Sequence, residues 1–203
     1  AIKKIKWKKI KVIDDDNGMC GIDVNNQMYC WGMMSFYGKD MRDTCMLPVF
    51  NTNLYDTNKD FLVTEGEINN NGKTMSKGTK LVGTELLAKN WFEIEGHGSV
   101  KVTPAKFNKI VPNENIYTIV DSGMYKIGEQ LPAGEYLIRY ESKEDETEQL
   151  PTVQTTNNKG NIITFSDTVK DTEQELELVE GERLSINLHQ SKPEMSKLIL
   201  TKK

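Results

Sequence analysis

Residues 19–32 have the sequence Met19-Cys20-Gly21-Ile22-Asp23-Val24-Asn25-Asn26-Gln27-Met28-Tyr29-Cys30-Trp31-Gly32, which is typical of a β-hairpin. Asn25-Asn26 is a turn signal, because asparagine tolerates the left-handed backbone that tight hairpins require. A three-residue loop at 24–26 pairs Asp23 with Gln27. In a regular ladder this register places Cys20 opposite Cys30 in a non-hydrogen-bonded pair, whose Cα atoms lie within reach of a disulfide. The sequence therefore predicts an oxidised, all-β protein.

The same register places Ile22 and Met28 on the face that carries the two cysteines, so we expect that face to be buried. Disulfides persist in oxidising compartments, which predicts an extracellular or cell-surface location. The third cysteine, Cys45, is left over as a buried apolar residue, an intermolecular bridge or a free thiol. A zinc site formed by the three cysteines and His97 is disfavoured, because the chain contains no closely spaced cysteine pair of the knuckle type.

The length of 203 residues allows one large β domain or two small ones, and either could bury a core. The net charge of −4 is unevenly distributed. Residues 107–203 contain 11 Lys/Arg and 17 Asp/Glu, whereas residues 1–106 contain 15 and 13. The acidic second half argues against a general nucleic-acid-binding protein. No apolar run is long enough for a membrane-spanning helix, so we expect no membrane insertion.

The N-terminal segment is basic, with six lysines before Asp14 and no acidic residue among them. It lacks the apolar core of a signal peptide. A basic arm can bind anionic polymers, but lysines on the wet face of a solvated strand are the simpler interpretation. Because Trp7–Ile13 is strand-like, we also consider that Ile2–Ile13 crosses to a neighbouring subunit by strand addition.

Two β domains are predicted, residues 1–104 and 105–203. The second has many short strand candidates separated by turn signals such as Asp121-Ser122-Gly123, a pattern typical of a β-sandwich or jelly roll. The predicted strands of this domain are 116–120, 124–127, 135–140, 152–155, 161–165, 175–179, 183–188 and 197–200.

The N-terminal part, up to about residue 55, resembles a single repeat of the regulator-of-chromosome-condensation type, in the disulfide-bearing form of exported bacterial proteins. The matching features are a strand, a turn, Cys20, nine intervening residues, Cys30-Trp31-Gly32, a glycine-containing loop and Pro48-Val49. Asp14–Asp16 stand where that family has glycines. One copy cannot close a propeller, so the resemblance implies only the local hairpin and its disulfide.

A second motif spans Tyr125–Tyr136 and resembles the Y-K-x-G-x-x-x-P-A-G-x-Y signature of small β domains in bacterial surface proteins and lipoproteins. Residues 179–184 fit the closing x-x-G-x-x-L hairpin of the same family. Pro132 suits the first central position of a type I turn, after which Gly134 can take a left-handed conformation and form a bulge. The resemblance implies a β fold and a surface location, and the family has no established chemistry to carry over to this chain.

No motif for nucleophilic catalysis, phosphate binding or a metalloprotease is present, and we predict neither catalytic residues nor a cofactor. His97 lies between glycines, where a solvated turn is expected, and His189 is far away in the sequence. Asp14-Asp15-Asp16-Asn17-Gly18 could offer oxygen ligands to calcium, although an exposed hairpin loop is the simpler interpretation and we predict no metal site.

Aromatic residues are concentrated in the first hundred positions. They could contact a ligand or partner, as Trp and Tyr do in many sugar-binding β-sandwiches, or fill the core. The candidate contact residues are Trp7, Trp31, Trp91 and Tyr37.

We therefore predict an exported or cell-surface structural or adhesive protein, with an appendage or assembly subunit included in that class, rather than an enzyme. Its expected partners are itself, other surface proteins or a glycan. The alternatives are a carbohydrate-binding module and, third, a glycan-acting hydrolase domain, which would need two carboxylates with opposed pKa shifts in a cleft.

Overall fold

The computed structural model describes residues 4–12, 19–32, 34–37, 58–70, 73–85, 91–143, 151–155, 162–164, 173–188, 192–193 and 195–203. These residues form strands and connections without an α-helix, so the predicted all-β class is confirmed. The chain divides into two compact units, Ala1–Ala105 and Lys106–Lys203.

Ten strands are described in the first unit, and they pair in antiparallel fashion. They are β1 (Trp7–Val12), β2 (Met19–Asp23), β3 (Met28–Trp31), β4 (Met34–Tyr37), β5 (Asn58–Glu65), β6 (Glu67–Asn70), β7 (Lys73–Ser76), β8 (Lys80–Glu85), β9 (Trp91–Gly96) and β10 (Ser99–Pro104). Strands β1, β2, β3, β10, β5 and β8 are neighbours in that order, and β4, β9, β6 and β7 form a separate sheet.

The hairpin of residues 19–32 forms as predicted. Cys20 faces Cys30 across β2 and β3, their Cα atoms are 4.2 Å apart, and the two sulfurs are bonded. Asp23 N donates to Gln27 O at 3.0 Å, and Asn26 takes the left-handed conformation with φ +60°. The local register thus follows from the turn chemistry of the loop.

The disulfide lies inside the core of this unit, since both cysteines are 0% exposed. Alternating residues of the two sheets pack around it, which is the pattern expected of sheets with one buried face. Met28 is buried as predicted, whereas Ile22 is only partly buried. The buried cluster consists of Cys20, Met28, Cys30, Phe61, Val63, Ile68, Met75, Val100 and Val102.

Strand β1 pairs with β2 of its own chain, with Ile10 opposite Gly21 and a register shift between Trp7 and Lys9. One edge of this strand-like N-terminal segment is therefore occupied by β2 of the same chain. This pairing does not fit the idea that the segment leaves the domain altogether to join a neighbouring subunit.

Eight strands are described in the second unit, and they lie close to those predicted. They are β11 (Ile116–Ile119), β12 (Ser122–Lys126), β13 (Gly134–Ser142), β14 (Thr152–Thr155), β15 (Ile162–Thr164), β16 (Gln174–Leu178), β17 (Arg183–Asn187) and β18 (Ser196–Lys202). One antiparallel sheet has the order β11-β18-β13-β16, and the neighbouring strands β12, β17, β14 and β15 are also antiparallel.

This strand order matches that of an eight-stranded jelly roll: apart from β14 and β15, which pair with each other, consecutive strands lie in different sheets. Burial alternates along the strands of both sheets, so each sheet has one face that must be covered. The packing of these two sheets as a sandwich remains a prediction.

The Tyr125–Tyr136 motif holds its two tyrosines in the same way. Tyr125 Oη donates to Asp121 O at 2.6 Å, and Tyr136 Oη donates to Pro132 O at 2.8 Å. Each buried hydroxyl thus reaches the carbonyl four residues upstream, a contact that fixes the entry into its strand.

The hydrogen-bonded turn of this motif lies earlier than predicted. Gln130 N donates to Lys126 O at 3.0 Å and Gly128 N donates to Leu131 O at 2.7 Å, so the chain turns before Pro132. Gly134 does have a positive φ, +141°, which glycine adopts without steric cost.

The closing hairpin predicted for residues 179–184 is wrong. Glu182 N donates to Val179 O at 3.2 Å in a turn, but β16 pairs with β13 and β17 pairs with β12 and β14. The turn therefore passes the chain between sheets. The turn is also hydrogen-bonded to the Tyr125–Tyr136 motif, because Ile127 N donates to Glu182 O at 2.9 Å.

Replacing both bridging cysteines, Cys20→Ala/Cys30→Ala, is expected to destabilise residues 1–105 by about 3 kcal/mol, since the unfolded chain gains loop entropy and the core loses volume. Urea unfolding followed by tryptophan fluorescence tests this, because all three tryptophans lie in this unit. An unchanged midpoint would show that the disulfide adds no stability.

Burial, followed by the nearby Tyr117, raises the pKa of Tyr136 from 10.0 to about 12. An unfolded tyrosine ionises first, so the stability that Tyr136 contributes is complete below pH 10 and is lost as the pH rises towards 12. Spectrophotometric titration should show one tyrosine ionising near pH 12 that is missing in Tyr136→Phe. Identical titration curves for the two proteins would contradict this.

Candidate functional site

Three aromatic rings gather on the outer side of the first unit. The ring centroids of Trp7 and Trp31 are 5.5 Å apart with planes inclined by 41°, and the rings of Trp7 and Tyr29 meet edge to face at 5.9 Å. All three side chains are partly exposed. We call these three residues the aromatic face.

Strand alternation places this face opposite the core. On β3, Met28 and Cys30 point inward, so Tyr29 and Trp31 point to the other side of the sheet. On β2, Gly21 follows Cys20 and leaves room for the ring of Trp7: a Cβ at this position would lie 2.5 Å from Trp7 Cζ3. The missing side chain thus allows the indole to approach the backbone of β2 closely.

The hairpin loop is tied both to itself and to β1. Asp23 Oδ1 accepts from the backbone N of Asn25 and of Gln27, both at 2.8 Å. Val24 N donates to Lys6 O at 3.0 Å. These bonds satisfy a buried carboxylate and hold β1, and with it Trp7, against the hairpin.

The rim of the aromatic face is polar and cationic. Lys101 Nζ lies 5.9 Å from the Tyr29 ring centroid, a weak cation–π distance. Tyr29 Oη donates to Gln27 Oε1 at 3.3 Å. Burial and the negative charge of Asp23 raise the pKa of Tyr29 above 10.0, so the phenol is neutral at physiological pH. Beside the rings, Ile10 is 48% exposed.

The predicted contact residues divide into two sets. Trp7 and Trp31 come together on the aromatic face. Tyr37 lies opposite Trp91 in the pairing of β4 with β9, in the other sheet of the unit, and the side chains of these two residues lie outside the described part. The four residues therefore do not form one site on a single sheet.

Sequence reasoning missed Tyr29 and Lys101. Tyr29 was detectable, because it precedes Trp31 by two residues and alternation puts both on one face. Lys101 could not be found from the sequence, because it reaches Tyr29 only through the pairing of β10 with β3. In that pairing Lys101 lies opposite Tyr29. That pairing joins segments about seventy residues apart in the chain, and no local pattern specifies it.

The described residues give little support to the other sites considered from the sequence, which are the zinc site, the calcium loop and the histidines. Cys20 and Cys30 are bonded to each other, so they cannot ligate zinc. His97 is exposed in the turn between β9 and β10. Among the described residues no three His, Cys, Asp or Glu side chains are placed to hold a metal ion. The possible calcium loop 14–18, Cys45 and His189 lie outside those residues.

The chain was compared with protein-family models, curated proteins and solved structures, and none of them matches it. The two motif resemblances therefore stay predictions. Within the described residues, no helix has the length and apolar character needed to cross a membrane.

Gly21→Ala is expected to displace the Trp7 ring, because the added Cβ would overlap Cζ3 and Cε3, 2.5 and 2.6 Å away. The near-ultraviolet circular dichroism of the Trp7–Trp31 pair should weaken. In a Trp7→Ala background the same substitution should change the spectrum little. Equal spectral changes in both backgrounds would show that Gly21 acts elsewhere.

Proposed function

We propose that this is an exported or cell-surface protein of the structural or adhesive kind, which acts by surface contact through its aromatic face. One observation carries the proposal: Trp7, Tyr29 and Trp31 are held together, partly exposed, on the side of the sheet away from the core.

The buried disulfide supports export. Thiols are kept reduced in the cytosol, whereas a disulfide in the core of a small domain suits an oxidising environment. Because Cys20 and Cys30 are fully buried, their bond is a structural element and is shielded from reductants.

Contact, rather than core packing, is the role that fits the aromatic face. Tryptophan and tyrosine provide large, stiff and amphipathic contact area, and they are enriched among residues that dominate binding energy. A pleated sheet braced by a covalent cross-strand bond fixes the rings before binding, which lowers the entropic cost of association. No described feature favours catalysis, and we propose a non-catalytic role.

A carbohydrate-binding module is the second candidate. Two indoles inclined by 41° present adjoining π surfaces on which sugar rings can stack. Lys101 beside Tyr29 adds a charged donor suited to polar sugar groups. The third alternative, a glycan-acting hydrolase, has no observation in its favour.

Binding of the purified chain to two arrays, one of purified glycans and one of extracellular proteins, tests both candidates. Trp7→Ala and Trp31→Ala should each weaken binding by about tenfold or more, because each removes a central ring of the contact. Val111→Ala removes an exposed apolar side chain, 84% exposed, from the other unit and should leave binding unchanged.

Loss on the protein array would support adhesion to proteins, and loss on the glycan array would support the carbohydrate-binding candidate. Thermal unfolding of each variant checks that the fold is intact. If folded variants bind like the unsubstituted chain, or if that chain binds neither array, the aromatic face is not the contact surface.

A further inference from the structure

Two strands at sheet edges carry opposite charges. Strand β1, with the sequence WKKIKV, pairs with β2 on one side, and no described strand pairs with its other side. Strand β16, with the sequence QELEL, pairs with β13 on one side, and again no described strand pairs with the other. An open strand edge is a template for adding a strand from another chain.

These two edges differ from the other sheet edges in the described part of the chain. Strands β4, β11 and β15 contain no charged residue, and β7 contains a single lysine. In contrast, β1 contains three lysines and β16 contains two glutamates, with Glu173 directly before it. The basic and acidic edges are thus specific features of two strands.

Each edge has two exposed charged side chains in the described part of the chain. Lys8 and Lys9 are exposed on β1, and Glu175 and Glu177 are exposed on β16, while Leu176 and Leu178 turn into the core. Adding a strand along β16 therefore leaves its buried face undisturbed and brings the partner's side chains beside the glutamates.

Two like charges lie opposite each other beside the β16 edge. Glu177 lies directly opposite Glu135 in the pairing of β16 with β13, and both residues are exposed. Like charges in directly opposed positions destabilise a sheet. Lys203 forms an ion pair with the neighbouring Glu175 and also interacts electrostatically with Glu135, so the unit itself offsets part of this repulsion. Lysines from an added strand would reduce this repulsion.

We propose that β1 of one copy adds along β16 of the next copy, so that the chain assembles head to tail. The strands match in length, six and five residues. Two β1 edges repel each other, as do two β16 edges, so the charges disfavour a symmetric dimer and select the unlike pair. The growing assembly always retains one open β1 edge and one open β16 edge, one at either end, which allows it to continue.

This inference is independent of the aromatic face and concerns a second copy of the chain as partner. Lysines on an edge strand ordinarily prevent association. Lysines repel another basic edge, but they attract an acidic one, because that pairing neutralises the charges of both edges.

Sedimentation velocity over a range of protein concentrations tests the proposal. At low salt the unsubstituted chain should form a series of species larger than a dimer, and the mean mass should fall as salt screens the edges. Lys8→Glu/Lys9→Glu and Glu175→Lys/Glu177→Lys should each return the mean mass to that of the monomer. The four substitutions combined invert both edges and should restore assembly.

Lys77→Glu/Lys109→Glu makes the same change in net charge at exposed positions off the edges and should assemble like the unsubstituted chain. Array binding by Lys8→Glu/Lys9→Glu should persist, which separates this proposal from the contact function. A monomer at every concentration, a closed dimer as the largest species, or no restoration in the fourfold variant would overturn it.

Discussion

The bond between Cys20 and Cys30 is the constraint from which the first unit is built. It joins opposed residues of neighbouring strands, so it fixes the register of β2 against β3, and a slip of one residue would turn every side chain to the other face. Because both sulfurs lie in the core, the bond also fixes which face is buried. The aromatic face is the consequence, since the alternate residues must point outward.

The parts of the fold that the sequence predicts are those that local patterns specify. The hairpin register depends on Asn25-Asn26 and on counting outward from the loop, and the short strands of the second unit follow from local alternation and turn signals. Pairing between strands that are far apart in the sequence does not follow from such local patterns. The turn at 179–184 is correctly placed, yet its flanking strands belong to different sheets. A turn signal specifies a reversal of the chain and not the partner of the strand that follows.

The same distinction applies to the candidate site. Trp7 and Trp31 were identified by residue type, and alternation could have added Tyr29. Their assembly depends on the absence of a side chain at Gly21, which makes room for the indole, and on the register shift that brings Trp7 opposite Asp23. Lys101 joins through β10. Such neighbours are determined by tertiary pairing, so residue spacing in the sequence cannot reveal them.

The β1–β2–β3 part of the sheet therefore offers three separate surfaces. Its inner face buries the disulfide, its outer face presents aromatic rings, and its outer edge presents lysines on β1. Backbone hydrogen bonds run in the plane of the sheet, whereas side chains stand perpendicular to it. An edge contact and a face contact use different groups, so a copy added along β1 leaves the π surfaces of the rings available. The proposed assembly and the proposed contact through the aromatic face are therefore compatible with each other.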